Sequence, residues 1–536
     1  MLSSRTWKAR LVCLAALATF AILIAGCGGG GTSSGGGGTS SGGGGTGSTG
    51  SGGGSGAEPA QGGTLTVSLG EEIEGMNPLT NISVEDVNVI SQIFEPLFKE
   101  DYEGKVVPWL AESFKATKND TVWTMQLKKG VKFSTGKPMT SADVVWSLER
   151  TREGETHAGI VEAWKTVEAP SPDTVVITTR RPSPEMPEIL SQWIFSVMPE
   201  NFGGESEKDF NAHPIGTGPF EIAKWKKGES VTLKANPHYW MPNRPYLDEV
   251  VYQTVQNPQS RAAQVRGGQL DVIYNPPFPE IESLESSPEL AVEAPFVGNS
   301  WFIILNTQGE LFGNKKAREA VNYALDRESM IEVALHGHGE PQNSYLLPWI
   351  PGYDKSLPAP ETDPEKAKAL LAEAVKEGVD PTFTFSSIAE SPFWTQAAQI
   401  AQANLEAVGF KVSIKNSDLS SLLGQLEGSE FDAVTIYNTA QSQSPNELFS
   451  FYNATGGIFA GVDTKETSKL MTEAQSETNE AKRNAIWGQM QQIISEEQAL
   501  ISTAYSSAVW VRQSNVAGTF VGATGILWLG EAGFVG

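Results

Sequence analysis

The sequence predicts a mixed α/β fold for most of the chain. Segments whose apolar residues recur at helical spacing alternate with short segments in which apolar and polar residues alternate, so helices and strands are mixed along the chain. In the second half, several predicted helices are followed directly by short apolar strands, which predicts helices covering a sheet with some parallel pairing. We find no internal repeat with a period of about 20 to 50 residues, which argues against a solenoid or a propeller.

The N-terminus has the features of an export signal. Three cations precede an apolar stretch at residues 11–25, which is too short for a comfortable transmembrane helix. The next residues, Ile24-Ala25-Gly26-Cys27, resemble the lipobox of bacterial lipoproteins, in which the cysteine sulfur receives a diacylglycerol. We therefore expect residues 1–26 to be a signal peptide and a lipidated Cys27 to begin the mature protein. The alternatives are an ordinary leader cut elsewhere and an uncleaved anchor.

A glycine-rich segment follows the cysteine. Residues 28–56 contain only Gly, Ser and Thr, so they have nothing to bury and should form a flexible coil with an end-to-end distance of about 30 Å. We expect residues 27–61 to be a lipidated tether. Cys13 is the only other cysteine and lies in the predicted leader, so packing alone must hold the mature protein together.

Composition limits the possible partners. The formal net charge of −24 repels phosphate backbones, which argues against nucleic acid as a ligand. A hydrophobic content of 39% and a charged content of 19% fit a soluble globular body, and no apolar run after the leader is long enough to span a bilayer. At roughly 150 residues per domain, the remaining length corresponds to about three domains or to fewer, larger lobes.

Local patterns in the first half predict specific elements. In chain order they are a strand in GGTLTVSLG, a helix ending near Pro96, a hairpin in TVWTMQLKKGVKF that turns at Lys129-Gly130, a helix capped by Thr140 with Asp143 three residues on, a strand at Asp173–Thr179 and a hairpin turning near Lys227-Gly228.

Predicted helices are more frequent in the second half of the chain. Helical spacing is present in NKKAREAVNYALDRESMIEVAL, DPEKAKALLAEAVKEG, WTQAAQIAQANLEAVGF and NEAKRNAIWGQMQQIISEE, and the short apolar strands include KVSIKN and FDAVTIYN.

Catalytic signatures are missing from the sequence. We find no Walker-type phosphate loop, no G-x-S-x-G elbow, no H-E-x-x-H and no G-x-G-x-x-G after a strand. The histidines of HGHG, His336 and His338, could ligate a metal, but no further histidine or cysteine lies nearby in sequence, so a polar turn after a helix is favoured. We predict neither a metal nor another cofactor.

Aromatic residues in predicted loops are candidates for ligand contact. Four of the fourteen tryptophans lie in such surroundings, namely Trp193, Trp301, Trp349 and Trp394. Flat rings suit ligand clefts, although an ordinary core position explains most tryptophans equally well.

Three ordered blocks resemble a known family. They are LAESFKATKNDTVWTMQLKKGVKFSTGKPMTSADVVWSLER, IGTGPFEIAKWKKGESVTLKANPHYW and NKKAREAVNYALDRESMIEVALHGHGEPQNSYLLPWIPGY. They resemble the solute-binding proteins of peptide and nickel ABC transporters, in the family's order. The resemblance implies a two-lobed periplasmic-binding-protein-like fold, type II and of the peptide-binding class, with an extra subdomain in the first lobe. We expect lobe I at residues 62–303, lobe II at residues 304–505 and a return to lobe I at residues 506–536.

The same resemblance implies a receptor and not an enzyme. Such a lipoprotein, anchored on the extracytoplasmic face of the cell membrane and expected to be a monomer, hands a peptide-like solute to a permease, and the ATPase is a separate protein. A glycine tether would let it capture solute and still reach the permease. The implied ligand-binding residues are Trp301, Asn306, Tyr345, Trp394, Tyr437, Asn438, Gln441 and Tyr505.

The chain departs from the family pattern at positions that contact the solute in peptide-binding members. Peptide binders often carry a segment like WGADYPDP, whose first aspartate pairs with the peptide's amino terminus, and here the matching segment is YNTAQSQSPNELF. Gln441 takes the place of the aspartate and Asn438 that of the tryptophan, while SSIAESPF lacks the arginine that dipeptide binders use for the peptide carboxylate. An oligosaccharide or another non-peptide solute is therefore the alternative to a peptide. A lipid-anchored hydrolase is a weaker alternative, because the sequence singles out no nucleophile or acid–base pair.

Overall fold

The protein is described by a computed structural model that covers residues 58–80, 83–154, 161–389, 392–439, 444–451, 461–522 and 524–536. Its strands are β1 (Thr64–Leu69), β2 (Phe98–Glu100), β3 (Val106–Pro108), β4 (Ala111–Thr117), β5 (Val122–Leu127), β6 (Trp164–Ser171), β7 (Thr174–Thr179), β8 (Phe220–Lys226), β9 (Ser230–Ala235), β10 (Glu249–Thr254), β11 (Val272–Tyr274), β12 (Leu290–Glu293), β13 (Phe296–Leu305), β14 (Gly339–Pro341), β15 (Thr382–Ile388), β16 (Lys411–Ser417), β17 (Ala433–Thr439), β18 (Leu500–Ser507), β19 (Trp510–Gln513), β20 (Val516–Ala517), β21 (Phe520–Val521), β22 (Leu527–Trp528) and β23 (Gly533–Phe534).

The helices alternate with these strands along the chain. They are α1 (Val84–Ile93), α2 (Ser141–Glu153), α3 (Met186–Ile189), α4 (Glu207–Ala212), α5 (Pro258–Arg266), α6 (Ile281–Glu285), α7 (Glu310–Gly313), α8 (Lys315–Ala324), α9 (Arg327–Leu335), α10 (Pro364–Lys376), α11 (Pro392–Val408), α12 (Leu419–Glu427), α13 (Pro445–Phe451), α14 (Lys465–Ser476) and α15 (Glu480–Glu497).

Two large sheets define two lobes. A seven-stranded sheet has the order β12-β19-β11-β1-β10-β9-β8, and a six-stranded sheet has the order β14-β18-β13-β17-β15-β16. The chain leaves the first sheet after Glu293, enters the second at Phe296, leaves it after Ser507 and returns to the first at Trp510. We call the part built on the seven-stranded sheet lobe I and the part built on the six-stranded sheet lobe II. The limit expected at residue 303 therefore falls inside β13.

A smaller four-stranded sheet, in the order β4-β5-β7-β6, is inserted between β1 and β8. With α2 and α3 it forms its own buried core around Trp123, Trp164 and Phe195. We call this unit the insert subdomain.

Lobe II has three layers because the side chains of β13 point alternately to opposite faces of its sheet. Ile303 and Leu305 pack in the core that includes α8, α10 and α11. Phe302 and Ile304 pack on the other face, in the core that includes α15. Both faces are covered, so the strands of this sheet are apolar along most of their length.

The elements predicted from local patterns are mostly confirmed. The strand β1, the antiparallel hairpin of β8 and β9 and the parallel pairing of β15 with β16 and β17 are present. The predicted cap of α2 is present too, since the N–H and the hydroxyl of Thr140 donate to Asp143 Oδ2 at 2.8 and 2.9 Å.

The predicted hairpin after Lys129-Gly130 is wrong. The strand β5 pairs with β4 and β7 instead. Val131 and Phe133 form a tight turn with the next residues, in which Phe133 N donates to Lys137 O at 2.9 Å and Met139 N donates to Val131 O at 3.0 Å. Both apolar side chains are buried in the core of the insert subdomain, which explains their alternation without a strand.

Within the described ranges, no helix is both long enough and apolar enough to cross a membrane.

Candidate functional site

In each of the two large sheets, the carboxyl ends of the parallel strands lie at the same end of the sheet, which we call its cleft edge. In lobe I, β1 lies between β10 and β11 and is parallel to both. In lobe II, β15 is parallel to β16 and β17. Open α/β sheets bind ligands outside the carboxyl ends of their strands, so these two edges are the candidate walls of a site.

Two short crossovers connect the lobes. They lie at residues 294–295 and 508–509, and the N–H of Ala508 donates to the carbonyl of Pro295 at 3.1 Å, so the two crossing segments run side by side. Paired short segments of this kind can act as a hinge, because few backbone angles need to change for the lobes to move.

Four predicted site residues lie on neighbouring strands at the same edge of lobe II. Trp301 of β13 is paired with Tyr437 of β17, and Ser300 is paired with both Asn438 of β17 and Tyr505 of β18. The structure describes the backbone of Tyr437 and Asn438, which places them at these register positions.

A fifth predicted residue, Trp394 near the start of α11, joins this group. Its ring centroid is 5.2 Å from that of Trp301, and the two side chains are only 8% and 7% exposed. Each ring therefore buries most of its surface in lobe II, with the other ring among its neighbours.

Tyr505 is held by polar and aromatic contacts. Its hydroxyl donates to Glu340 Oε2 at 2.5 Å, and its ring packs edge-on against Trp349 with centroids 5.4 Å apart. These contacts fix the orientation of the phenol at the cleft edge.

Two predicted residues lie away from this group. Asn306 follows the opposite end of β13, where its amide donates to the carbonyls of Phe431 at 2.8 Å and Ser429 at 3.2 Å, so it fixes a loop. Tyr345 is packed between Phe302 and Phe449 and lines a separate cavity of lobe II. Gln441 and Cys27 lie outside the described residues.

The edge of lobe I carries a group of carboxylates. Asp86 accepts hydrogen bonds from the N–H groups of Glu74 at 2.8 Å and Gly75 at 3.3 Å, and so fixes the loop after β1. Burial, and next the negative charge of Glu71, raises the pKa of Glu85 to about 7. Partial desolvation, and next the negative charge of Glu74, also raises the pKa of Glu71, although this residue is exposed. This edge can therefore attract a cation or hold protons near neutral pH.

A buried carboxylate that sequence reasoning missed joins the insert subdomain to lobe II. Glu185, just before α3, accepts a hydrogen bond from Ser444 Oγ at 2.5 Å and from Trp487 Nε1 at 3.3 Å. Its Oε1 also lies 3.5 Å from Nε of Arg483. Burial raises the pKa of Glu185, whereas these three partners act in the opposite direction. Ser444 directly follows residues 440–443, so Glu185 holds the chain beside the segment that contains Gln441.

Two further contacts extend this interface. Arg181 Nη2 donates to Gln475 Oε1 at 2.8 Å, and Thr478 Oγ1 donates to Asn119 Oδ1 at 3.5 Å. No pattern along the sequence marks these residues, because each contact joins elements about 260 to 360 positions apart.

The HGHG segment forms part of a turn. His336 ends α9 in a left-handed conformation, and the ring of His338 stacks on Phe278 of lobe I with centroids 5.9 Å apart. Burial lowers the pKa of His338. In the part of the chain that the structure describes, no group of three or more His, Cys, Asp or Glu side chains could hold a metal ion.

Comparison with known proteins identifies the class. Residues 105–459, more than half of the chain, match the family described as bacterial extracellular solute-binding proteins, family 5 Middle. The glutathione-binding protein GsiB of Shigella dysenteriae serotype 1 (strain Sd197) is 26% identical over 471 residues, which cover 85% of this chain and 92% of the relative.

Solved structures of solute-binding proteins are also similar to this chain. The oligopeptide-binding protein AppA from Bacillus subtilis, in complex with a nonapeptide, is 26% identical with a TM-score of 0.75 and covers 89% of this chain and 100% of its own. NikA from Brucella suis, in complex with Fe(III)-EDTA, is 23% identical with a TM-score of 0.79 and covers 86% of this chain and 98% of its own, which shows the same fold.

The fold and the paired strand ends are those of a two-lobed solute-binding protein. This chain belongs to the bacterial extracellular solute-binding proteins, family 5. It is accordingly an extracytoplasmic receptor of the ABC importer class, and its relatives are named as binding proteins and not as enzymes.

Proposed function

We propose that this protein is a lipid-anchored receptor that binds a peptide-like solute between its two lobes and delivers it to the permease of an ABC importer. The likeness to AppA carries the choice of solute, because the 26% identity spans the whole of a protein whose structure contains a nonapeptide. The relative named as a glutathione-binding protein makes glutathione a second ligand to test.

The proposed cleft lies between the strand ends of lobes I and II. Its lobe II wall comprises Trp301, Trp394, Tyr437, Asn438 and Tyr505, together with Gln441. The carboxylates after β1 would form part of the lobe I wall. We leave Asn306 and Tyr345 out of this wall, because the first fixes a loop at the far end of β13 and the second lines the separate cavity of lobe II.

The packing of the tryptophans favours a peptide over an oligosaccharide. Sugar binding by stacking needs a ring face that is open to the solute. Trp301 and Trp394 each expose less than a tenth of their surface, so neither offers a free face. Extended peptides are bound largely by main-chain hydrogen bonds, for which strand ends and loops supply partners.

Anchoring and partners follow from the sequence. Lipid on Cys27 and the tether of residues 27–61 would retain the receptor at the membrane within reach of its permease, and the ATPase would be a separate protein. We propose that the lobes meet at the crossovers, residues 294–295 and 508–509, in place of the limits at residues 303 and 505 expected from the sequence. We propose that the receptor turns over no substrate and requires no cofactor.

A calorimetric screen tests the choice of solute. The purified receptor would be titrated with glutathione, linear peptides of two to nine residues and maltooligosaccharides, under identical conditions. We expect saturable heat from a peptide and none from the sugars. Saturable binding of sugars alone would overturn the peptide proposal and leave the family assignment intact.

A further inference from the structure

A second cavity lies inside lobe II, away from the proposed cleft. It has a volume of about 260 Å³ and is lined by residues from α8, α9, α15, the loop after β14 and the start of β18. Leu500, at the start of β18, is paired with Ile304 near the end of β13, whereas Asn299 and Thr439 are paired at the cleft edge. The cavity therefore lies near the end of the sheet that is opposite the strand ends of the cleft.

A buried cation lines this cavity. Arg327, the first residue of α9, is only 4% exposed, and burial lowers the pKa of its guanidinium to about 10, so it is charged at neutral pH. Its Nε donates to Ser502 O at 3.0 Å, Nη1 donates to Asn322 O at 3.2 Å and Nη2 donates to Asn322 Oδ1. Since a guanidinium has five N–H groups, about two remain for another partner.

No carboxylate in the described part of the chain balances this charge. Among the described residues, none lies within the 4.0 Å that defines an ion pair with Arg327. Glu361 lies at the rim, but its side chain is 63% exposed and its near cation is Lys366, at 4.0 Å. Buried charges are normally paired, so an unpaired guanidinium beside a polar cavity indicates a missing anion.

Two side chains that line the cavity each have a buried acceptor without a described partner. Gln342 donates from Nε2 to Ser344 O at 2.6 Å, which directs its Oε1 elsewhere, and this oxygen is buried with no partner in the described structure. Gln498 donates from Nε2 to Ser495 O, and its Oε1 is likewise buried without a described partner. Both side chains line the cavity. An O–H group on an occupant would supply a partner for either oxygen.

We infer that this cavity binds a small oxyanion that also carries an O–H group, such as hydrogen phosphate or a hydroxycarboxylate. The anion would accept hydrogen bonds from Arg327, and its O–H would donate to Gln342 or Gln498. Because Arg327 joins α9 to β18, binding here would stabilise the body of lobe II. The site is distinct from the solute cleft and does not depend on which solute the cleft takes.

The test supplies the missing counter-charge from the protein itself. Ser495 lines the cavity near the end of α15 and is partly exposed. Ser495→Asp would place a carboxylate in the cavity wall, whereas Ser495→Asn adds a side chain of similar size without charge. Wild type and both variants would be titrated with phosphate, citrate and sulfate by calorimetry at constant ionic strength, and circular dichroism would confirm their folding.

We expect wild type and Ser495→Asn to bind phosphate or citrate saturably, and Ser495→Asp to bind at least tenfold more weakly. Sulfate, which has no O–H at neutral pH, should bind more weakly than phosphate. Absence of saturable oxyanion binding to wild type would overturn the inference. Equal binding by the Asp and Asn variants would overturn it too, because the anion would then be held elsewhere, and tighter binding of sulfate than of phosphate would refute the O–H requirement.

Discussion

At the scale of single residues, the electrostatics of the cleft edges are set by burial. Glu85 lies in the first turn of α1 and is 7% exposed, and the burial that raises its pKa to about 7 also makes its ionised form costly. The folded protein therefore keeps a proton on Glu85 up to about pH 7, whereas the unfolded chain loses it near the ordinary glutamate pKa of 4.5. The contribution of Glu85 to the free energy of unfolding is fully present below pH 4.5 and is lost as the pH rises toward 7.

Glu85→Gln should remove this pH dependence. At pH 8 the variant should be more stable than wild type by about 3 kcal/mol, because a buried charge is no longer formed, and near pH 4.5 the two should be nearly equal. Urea unfolding at pH 5 and pH 8 measures the difference, with the exposed Glu74→Gln as the control. A stabilisation of the same size at both pH values would show that charge at Glu85 is not the cause.

A second residue-scale prediction concerns Gln441. Gln441→Asp should tighten the binding of peptides with a free amine by about tenfold to a hundredfold, since a charge-assisted hydrogen bond contributes about 1.5 to 3 kcal/mol. The same change should weaken the binding of N-acetylated peptides. Calorimetry with one free and one acetylated peptide measures both effects, and Gln443→Asp adds the same charge nearby as a control. Tight wild-type binding of the free peptide that acetylation abolishes would show that another acid already pairs with the amine.

At the scale of elements, the insert subdomain contributes to the cleft by contacting lobe II. Glu185 reaches the start of α13 through Ser444 and reaches α15 through Arg483 and Trp487. This contact positions the segment that follows β17, on which part of the proposed solute wall depends.

Glu185→Gln should weaken solute binding about tenfold to a hundredfold, because Arg483 loses its buried counter-charge while the packing is kept. The matched control is Glu162→Gln. Glu162 lies 3.6 Å from Arg181 of the same subdomain but its side chain is 72% exposed, so its loss should cost less than about 1 kcal/mol. Calorimetric affinities of the two variants decide the matter, and equal affinities would mean that the contact with lobe II has no role in binding.

Local signals explain which elements could be predicted. The strand β1, the hairpin of β8 and β9 and the cap of α2 depend on neighbours within a few residues, so alternation, a Lys-Gly turn and a Thr/Asp pair were enough. The pairing of β5 with β7 depends on residues about fifty positions away, and the sequence instead indicated the nearest apolar pair, Val131 and Phe133.

The candidate site was predictable only in part, for the same reason. Resemblance named Trp301, Trp394 and Tyr505, and the structure brings Trp301 and Tyr505 to neighbouring strands with the ring of Trp394 beside Trp301. Resemblance could not separate Asn306, which lies only five residues from Trp301 but at the far end of the strand. Glu185 and Arg327 had no signal, since their role depends on burial by distant parts of the chain.

At the scale of the whole molecule, the anchor determines where the receptor works. Cys27→Ala should release the protein into the medium or leave it as an unprocessed precursor, because lipid on this cysteine is the anchor that the sequence predicts. Fractionation and mass spectrometry of the N-terminus measure the outcome. A processed variant that stays with the membrane would contradict lipid anchoring at this residue.

Two lobes joined by two short crossovers should close around a solute that touches both, because such a ligand stabilises only the closed arrangement. Small-angle X-ray scattering of the soluble protein, with and without a peptide shown to bind by calorimetry, tests this most directly. The account predicts a smaller radius of gyration with peptide bound. Superimposable profiles at saturating peptide would contradict a cleft between the lobes as the binding site.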